Sequence, residues 1–199
     1  MKLFVLFISL TMSLFALNIN HSLLKVHATL VPKIYLMDYK FKEKLKDHTI
    51  TVAIVYKNNT YTDAKKLKGL IETRYKDGLK SYTVKPILVD STNIKKSIAN
   101  IYYLFPTNQD EIKTVIKQAN KNNALTFAYN RDDLKYGVMI SLNVSKKIKP
   151  LLNLEAIKVN NISLRPVLID ISTIYLNKLE TSISNIKLGT LHSAKACRV

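Results

Sequence analysis

The sequence has one cysteine, four glycines and no tryptophan among 199 residues. A lone Cys197 excludes an internal disulfide framework and a multi-cysteine zinc module. Gly69, Gly78, Gly137 and Gly189 lie too far apart for a phosphate-cradling loop, and neither GxGxxG nor a Walker pattern occurs. Acidic residues are also scarce: 14 Asp and Glu face 31 Lys and Arg, for a formal net charge of +17. Of the cations 27 are Lys and only four are Arg (Arg74, Arg131, Arg165, Arg198), and there are 17 Asn. Nucleic-acid sites favour the planar guanidinium fork, which pairs bidentately with phosphate and guanine edges. Lysines spread through 40–46, 65–68 and 113–121 read instead as a solvated basic surface, attractive to an anionic partner, with no nucleic acid expected. Hydrophobic residues make up 47% of the chain, enough to bury a core, so wholesale disorder is excluded.

The opening stretch, MKLFVLFISLTMSLFALN, places one Lys before an apolar run from Leu3 to Leu10, with the small residue Ala16 beyond it. That is the pattern of a secretory signal peptide, although Leu14 stands at −3, where a small residue is preferred. The run is shorter than the ~20 apolar residues needed to span a bilayer. Polar Asn18, Asn20 and His21 follow it directly, without a basic flank, and no cysteine is placed to carry a lipid. Residues 1–17 are therefore expected to be a leader, 22–176 a single domain and 177–199 a C-terminal tail. Without Lys2 the formal charge becomes 31 − 1 − 14 = +16.

Beyond the leader, strand and helix patterns alternate. Leu23, Val26, Leu30, Ile34 and Met37 recur at a helical period, with Pro32 expected to bend the helix. Ile50–Tyr56 (ITVAIVY) is apolar on both faces, as in a strand covered on both sides. A helix is predicted over Thr62–Tyr75 and a strand over Tyr82–Val89. A short helix capped by Ser91 or Thr92 runs to Ala99, and a strand follows over Ile101–Phe105. Thr107, three residues before Asp110, is placed to cap a helix striped by Ile112, Val115, Ile116 and Ala119. Ala124–Tyr129 is a further strand. Gly137–Val144 and Ile148–Leu152 then form a hairpin turning at Ser145-Lys146, and helices follow over Leu154–Lys158 and Leu164–Tyr175. Strands separated by helices imply parallel crossovers. The expected fold is a single α/β domain with a largely parallel twisted sheet, flanking helices and a C-terminal β-hairpin plus helices, without internal repeats.

From Leu24 to about Tyr175 this order of elements resembles the YfiR-like family of small periplasmic regulatory proteins. Leu24-Lys25-Val26-His27-Ala28-Thr29-Leu30 matches the family's opening helix, ITVAIVY its first strand and Tyr102-Tyr103-Leu104-Phe105 its third. Gly137-Val138-Met139-Ile140 matches a glycine-led strand. Leu152–Lys158 and Asn161–Arg165 match the helical segment near the family's end. The chain departs from the family at two places. Asn100 and Ile101 stand where a cysteine often precedes the third strand, and Lys57-Asn58-Asn59-Thr60 replaces a glycine-rich turn. An internal disulfide switch is therefore not expected.

His21, His27, His48 and His192 are scattered and offer no HExxH, so no metal site is expected. Asp132-Asp133 lacks the alternating acids and bidentate Glu of a calcium loop and reads as a turn. Cys197 has only His192 nearby and no GxSxG elbow occurs, so no catalytic residue or cofactor is assigned. On an open α/β sheet ligands gather at the carboxyl ends of the strands. Those ends carry Lys57, Asn58, Asn59 and Thr60, then Pro106, Thr107 and Asn108, then Asn130 and Arg131. Lys57, Arg131 and the backbone N–H at Thr107 are candidates for holding a small anionic ligand. The resemblance implies an exported, non-enzymatic regulator that docks on the periplasmic domain of an inner-membrane signalling protein, a diguanylate cyclase or histidine kinase. A single-lobe solute-binding component, a hydrolase with a dispersed site and self-association as a homodimer stay open as alternatives.

Overall fold

The computed structural model describes residues 19–176. The expected leader and the tail lie outside the described residues. Seven strands form one sheet in the order β2-β1-β3-β4-β5-β6-β7. They are β1 (Thr49–Tyr56), β2 (Thr83–Asp90), β3 (Ile101–Leu104), β4 (Leu125–Ala128), β5 (Ile140–Val144), β6 (Ile148–Leu152) and β7 (Thr173–Ile174). The first five run parallel to their neighbours, β5 and β6 pair antiparallel, and β7 returns parallel to β6. The chain is thus a single mixed α/β domain whose parallel part has the doubly wound order 2-1-3-4-5.

The period-two alternation within strands divides the core between the two faces of the sheet. Ile50, Val52 and Ile54 of β1, with Tyr103 and Phe127, pack under α1 (His21–Tyr35) and α2 (Tyr61–Arg74). Ala53 and Val55, with Tyr102, Leu104 and Ala128, pack on the other face under α3 (Gln109–Lys121). The α3 stripe is as the spacing predicts: Ile112, Val115 and Ala119 are fully buried. Burying each of the two larger side chains is worth about 1.5–3 kcal/mol. Two short helices, α4 (Leu154–Val159) and α5 (Pro166–Ile171), close the first face through Ala156, Ile157 and Leu168.

Helix α1 contains Pro32 and is capped by Asn20, whose Oδ1 accepts from the N–H of Leu23. Several local expectations further along the chain are corrected. Asn108 rather than Thr107 caps α3, its Oδ1 accepting from the N–H of Glu111 at 3.0 Å. The segment after β2 is a 3-10 helix, Ser91–Lys96, capped by Asp90. Gly137 does not lead a strand. It closes the 3-10 turn Arg131–Tyr136 with φ +100°, a backbone conformation open to glycine at little cost, and the strand begins at Ile140. The helix predicted over Leu164–Tyr175 is only the six residues of α5. Pro166 supplies its N-terminus, and β-branched Thr173 and Ile174 leave it to pair with Leu151 and Leu152.

Asn100, at the position where the resemblance leads one to expect a cysteine, is a polar staple. Its Oδ1 accepts from the N–H of Thr51 at 2.8 Å and its Nδ2 donates to the Lys44 carbonyl at 2.7 Å. Its own backbone bonds Thr51 and Leu125, so one residue ties together the starts of β1, β3 and β4. Asn100→Ala is expected to cost about 2 kcal/mol, because it removes two hydrogen bonds and strands their partners. Urea denaturation measures this, and a loss within ~0.5 kcal/mol would contradict the assignment.

Candidate functional site

The sequence-predicted residues lie at the carboxyl ends of β1, β3 and β4, where the order 2-1-3-4-5 places its switch point, between β1 and β3. The structure joins the first two groups. Lys57 follows β1, and its Nζ lies 2.8 Å from Oε1 of Glu111 in the first turn of α3. The backbone N–H of Lys57 donates to Oγ1 of Thr60, which in turn donates to the Lys57 carbonyl, folding 57–60 into a tight turn. Thr60 is buried, while Asn58 and Asn59 are exposed. Asn108 spends its side-chain oxygen on the α3 cap.

Two polar atoms are buried here without a partner, Oγ1 of Thr107 and Oε2 of Glu111. Glu111 was not singled out in the sequence. Its position three residues after Asn108 was visible, but its pairing with Lys57 spans the two strand ends and has no local signal. The third group stands apart. Asn130 caps the turn that follows β4, its Oδ1 accepting from the N–H of Asp132. Arg131 reaches toward β5, Nη1 lying 3.4 Å from Oδ1 of Asn143. The two candidate cations are thus each engaged, one by a carboxylate and one by an amide.

Asp133, in the same turn, is buried with Oδ2 unpartnered. Burial, together with the neighbouring Asp132 carboxylate, pushes its pKa up to about 6. On the α1 face, His27 is enclosed by Tyr103, Phe127 and Tyr129. Its Nδ1 is 2.8 Å from the Tyr103 hydroxyl, and burial drives its pKa down to about 3. This imidazole is therefore neutral in the folded protein at ordinary pH. No group of three or more His, Cys, Asp and Glu is placed to hold a metal among the described residues. No helix among them is long and apolar enough to cross a membrane.

Three clefts open elsewhere, with no lining residue drawn from the sequence-predicted set. One of about 570 Å³ lies between α3, the 131–137 turn, α4 and the residues around β7. A second, of about 720 Å³, separates α1 from α2. A third, of about 470 Å³, is lined by α1, β6 and α5. Large apolar side chains are left exposed mainly in the C-terminal half: Val144, Ile148, Leu154, Val159, Val167, Ile169, Ile171 and Leu176.

The strand order 2-1-3-4-5, with its crossover between β1 and β3, defines a doubly wound α/β domain. The profile of the YfiR/HmsC-like family (DUF4154) matches residues 42–173, and the chain belongs to that family, which is regulatory rather than catalytic. The match opens past α1, so the resemblance of Leu24–Leu30 lies outside it. No curated protein matches the chain. Among solved structures it is similar to a conserved domain protein from Vibrio cholerae O1 biovar El Tor, at 11% identity and TM-score 0.51, covering 76% of this chain and 59% of that one. It is also similar to an ABC domain from Streptococcus pneumoniae in complex with L-Trp, at 11% identity and TM-score 0.52, covering 76% of this chain and 62% of that one. The chain spans less than two thirds of either neighbour's length, and at this identity the likeness is one of fold.

Proposed function

We propose that this chain is an exported, periplasmic regulator without catalytic activity of its own. It acts by docking on the periplasmic domain of an inner-membrane signalling protein, a diguanylate cyclase or sensor kinase. Its effect arises from binding one conformational state of that receptor better than the other. The observation that carries this reading is the concentration of exposed apolar side chains on the C-terminal half of a YfiR/HmsC-like domain. Ile148, Val167 and Ile171 line one cleft, and apolar side chains exposed together in this way mark an interaction face. The leader-like residues 1–17 support the address.

Deleting the gene, and complementing it with either the whole chain or one lacking residues 1–17, tests the proposal. Cellular cyclic di-GMP, or the phosphorylation of the cognate kinase, is expected to change on deletion. Only the exported form should restore it. An output that ignores the deletion, or is restored equally by the leaderless chain, overturns the reading.

A second reading, a single-lobe solute-binding component, is favoured by one feature: the unpartnered Thr107 Oγ1 and Glu111 Oε2 at the switch point. Thermal shift with amino acids, carboxylates and phosphate esters tests it. A shift lost on Thr107→Val supports solute binding, and flat melting curves across the set remove it.

A further inference from the structure

The third cleft differs from the other two in the chemistry of its walls. Leu30, Ile34 and Met37, at i, i+4 and i+7 along α1 and just past its end, form one apolar ridge. Val167, Leu168 and Ile171 of α5 form the other, and Ile148 and Pro150 of β6 lie between them. Ile148 is 42% exposed, Val167 55% and Ile171 54%. The polar members are Lys33, Lys147 and Lys149, and no carboxylate lines the groove. Lys146 extends this charge at the hairpin tip, and Val144 stands exposed beside it.

We infer that this groove is a docking site for an amphipathic helix of another protein, one that carries an apolar stripe flanked by Asp and Glu. The inference rests on the regulatory reading above and names the surface and the partner chemistry for it.

Three observations select that occupant. Two helical ridges with an apolar floor accept a third helix by interdigitation, read through anchors at i, i+3, i+4 and i+7. A docking strand is disfavoured, because β7 pairs only with Leu151 and Leu152, and Pro150 on the open stretch of β6 has no N–H to offer. The lysine rim selects the charge of the partner. A second copy of the chain would bring its own Lys33, Lys147 and Lys149 to the same face. The chain's own residues 177–199 carry Lys178, Lys187, Lys195 and Arg198 against a single acid, Glu180.

The test uses the purified protein and a fluorescent peptide of about 18 residues, with leucines at i, i+3, i+4 and i+7 and glutamates flanking them. The control is the same peptide with lysine in place of glutamate. Binding of the acidic peptide is expected to weaken with added salt, and the lysine peptide should not bind. Ile148→Glu with Val167→Glu, and separately Lys33→Glu with Lys147→Glu and Lys149→Glu, should each weaken binding by about tenfold or more. Ile98→Glu, at a residue 80% exposed on another part of the surface, should leave it unchanged. Thermal melts of each variant establish that the fold is kept.

The inference is overturned by absent binding, by equal binding of both peptides, or by groove variants that bind as the parent does. It is also overturned if these residues mediate sedimentation with phosphatidylglycerol vesicles, or a concentration-dependent dimer, while the acidic peptide is ignored. If the peptide fails and gene deletion still alters signalling, the groove is wrong and the regulatory reading stands. If the peptide binds and deletion alters nothing, the reverse holds.

Discussion

Asp38→Ala is expected to lower folding stability by about 3–5 kcal/mol, the range for removing one partner of a buried ion pair. Asp38 is 1% exposed and its Oδ2 pairs with Nζ of Lys44, itself largely buried. Its Oδ1 accepts from the N–H groups of Lys40 and Ser163, both at 3.2 Å. The backbone around it continues the clamp: Tyr39 donates to the Ser163 carbonyl, and Arg165 to the carbonyl of Met37, each at 2.8 Å. One carboxylate thereby fastens the end of α1 to the segment that enters α5. Its loss strands an ammonium group and two amides together, and loosens both walls of the α1–α5 groove. Urea denaturation gives the size of the effect. Replacing Lys44 with Met in the Asp38→Ala background should recover part of it, because the stranded charge is then gone. A loss under ~1 kcal/mol would mean that water and neighbouring groups replace the carboxylate without difficulty.

The second large effect is a pair of opposed pH dependences. His27 has a folded pKa of about 3 against 6.5 for the free group, so the unfolded chain binds the extra proton. Its contribution to stability is complete above pH 6.5 and falls by about 1.4 kcal/mol per unit as pH drops from there toward 3. Asp133 runs the other way. Its folded pKa of about 6 lies above the ordinary 3.8, so its contribution is complete below 3.8 and is lost as pH rises through 6.

Between pH 6 and about 4 the two slopes offset each other, and the protein should show little net change from this pair. Asp133→Asn removes the acid-side gain. That variant should be more stable than the parent at pH 7 by about 2 kcal/mol, and should lose that advantage by pH 4. His27→Asn, whose amide oxygen stands near the place of Nδ1, should instead grow more stable as pH falls over the same interval. Urea midpoints at pH 4, 5, 6 and 7 for the three proteins separate the slopes. Parallel curves would contradict both assignments.

The elements legible in the sequence are those whose signal is local and repeated. ITVAIVY is apolar on both faces because helices cover both sides of β1, and the α3 stripe is periodic because a single face of that helix is buried. The hairpin was visible because its strands adjoin in sequence. Strand β7 was not, because two residues carry no period, and Ile171 to Tyr175 look as helical as they look extended. The carboxyl-edge location of Lys57, Thr107 and Arg131 followed from the alternation of elements alone. Their partners did not, because Glu111 and Asn143 are brought to them by strand order, and a pairing such as Asp38 with Ser163 crosses 125 residues. The groove between α1 and α5 was hidden for the same reason. Its two ridges come from opposite ends of the domain, and each taken singly reads as ordinary core.

The junction between β4 and β5 bears on how the molecule answers a pull. The parallel strands and the hairpin module meet there through a single register pair, Phe127 with Ile140. Thr126 and Ser141 reinforce the junction, Thr126 Oγ1 accepting from the N–H of Met139 and the Ser141 hydroxyl donating to the Ala128 carbonyl. Load entering through the hairpin therefore meets at that line one register pair and two hydroxyl bonds, against four register pairs between β3 and β4 and five within the hairpin itself.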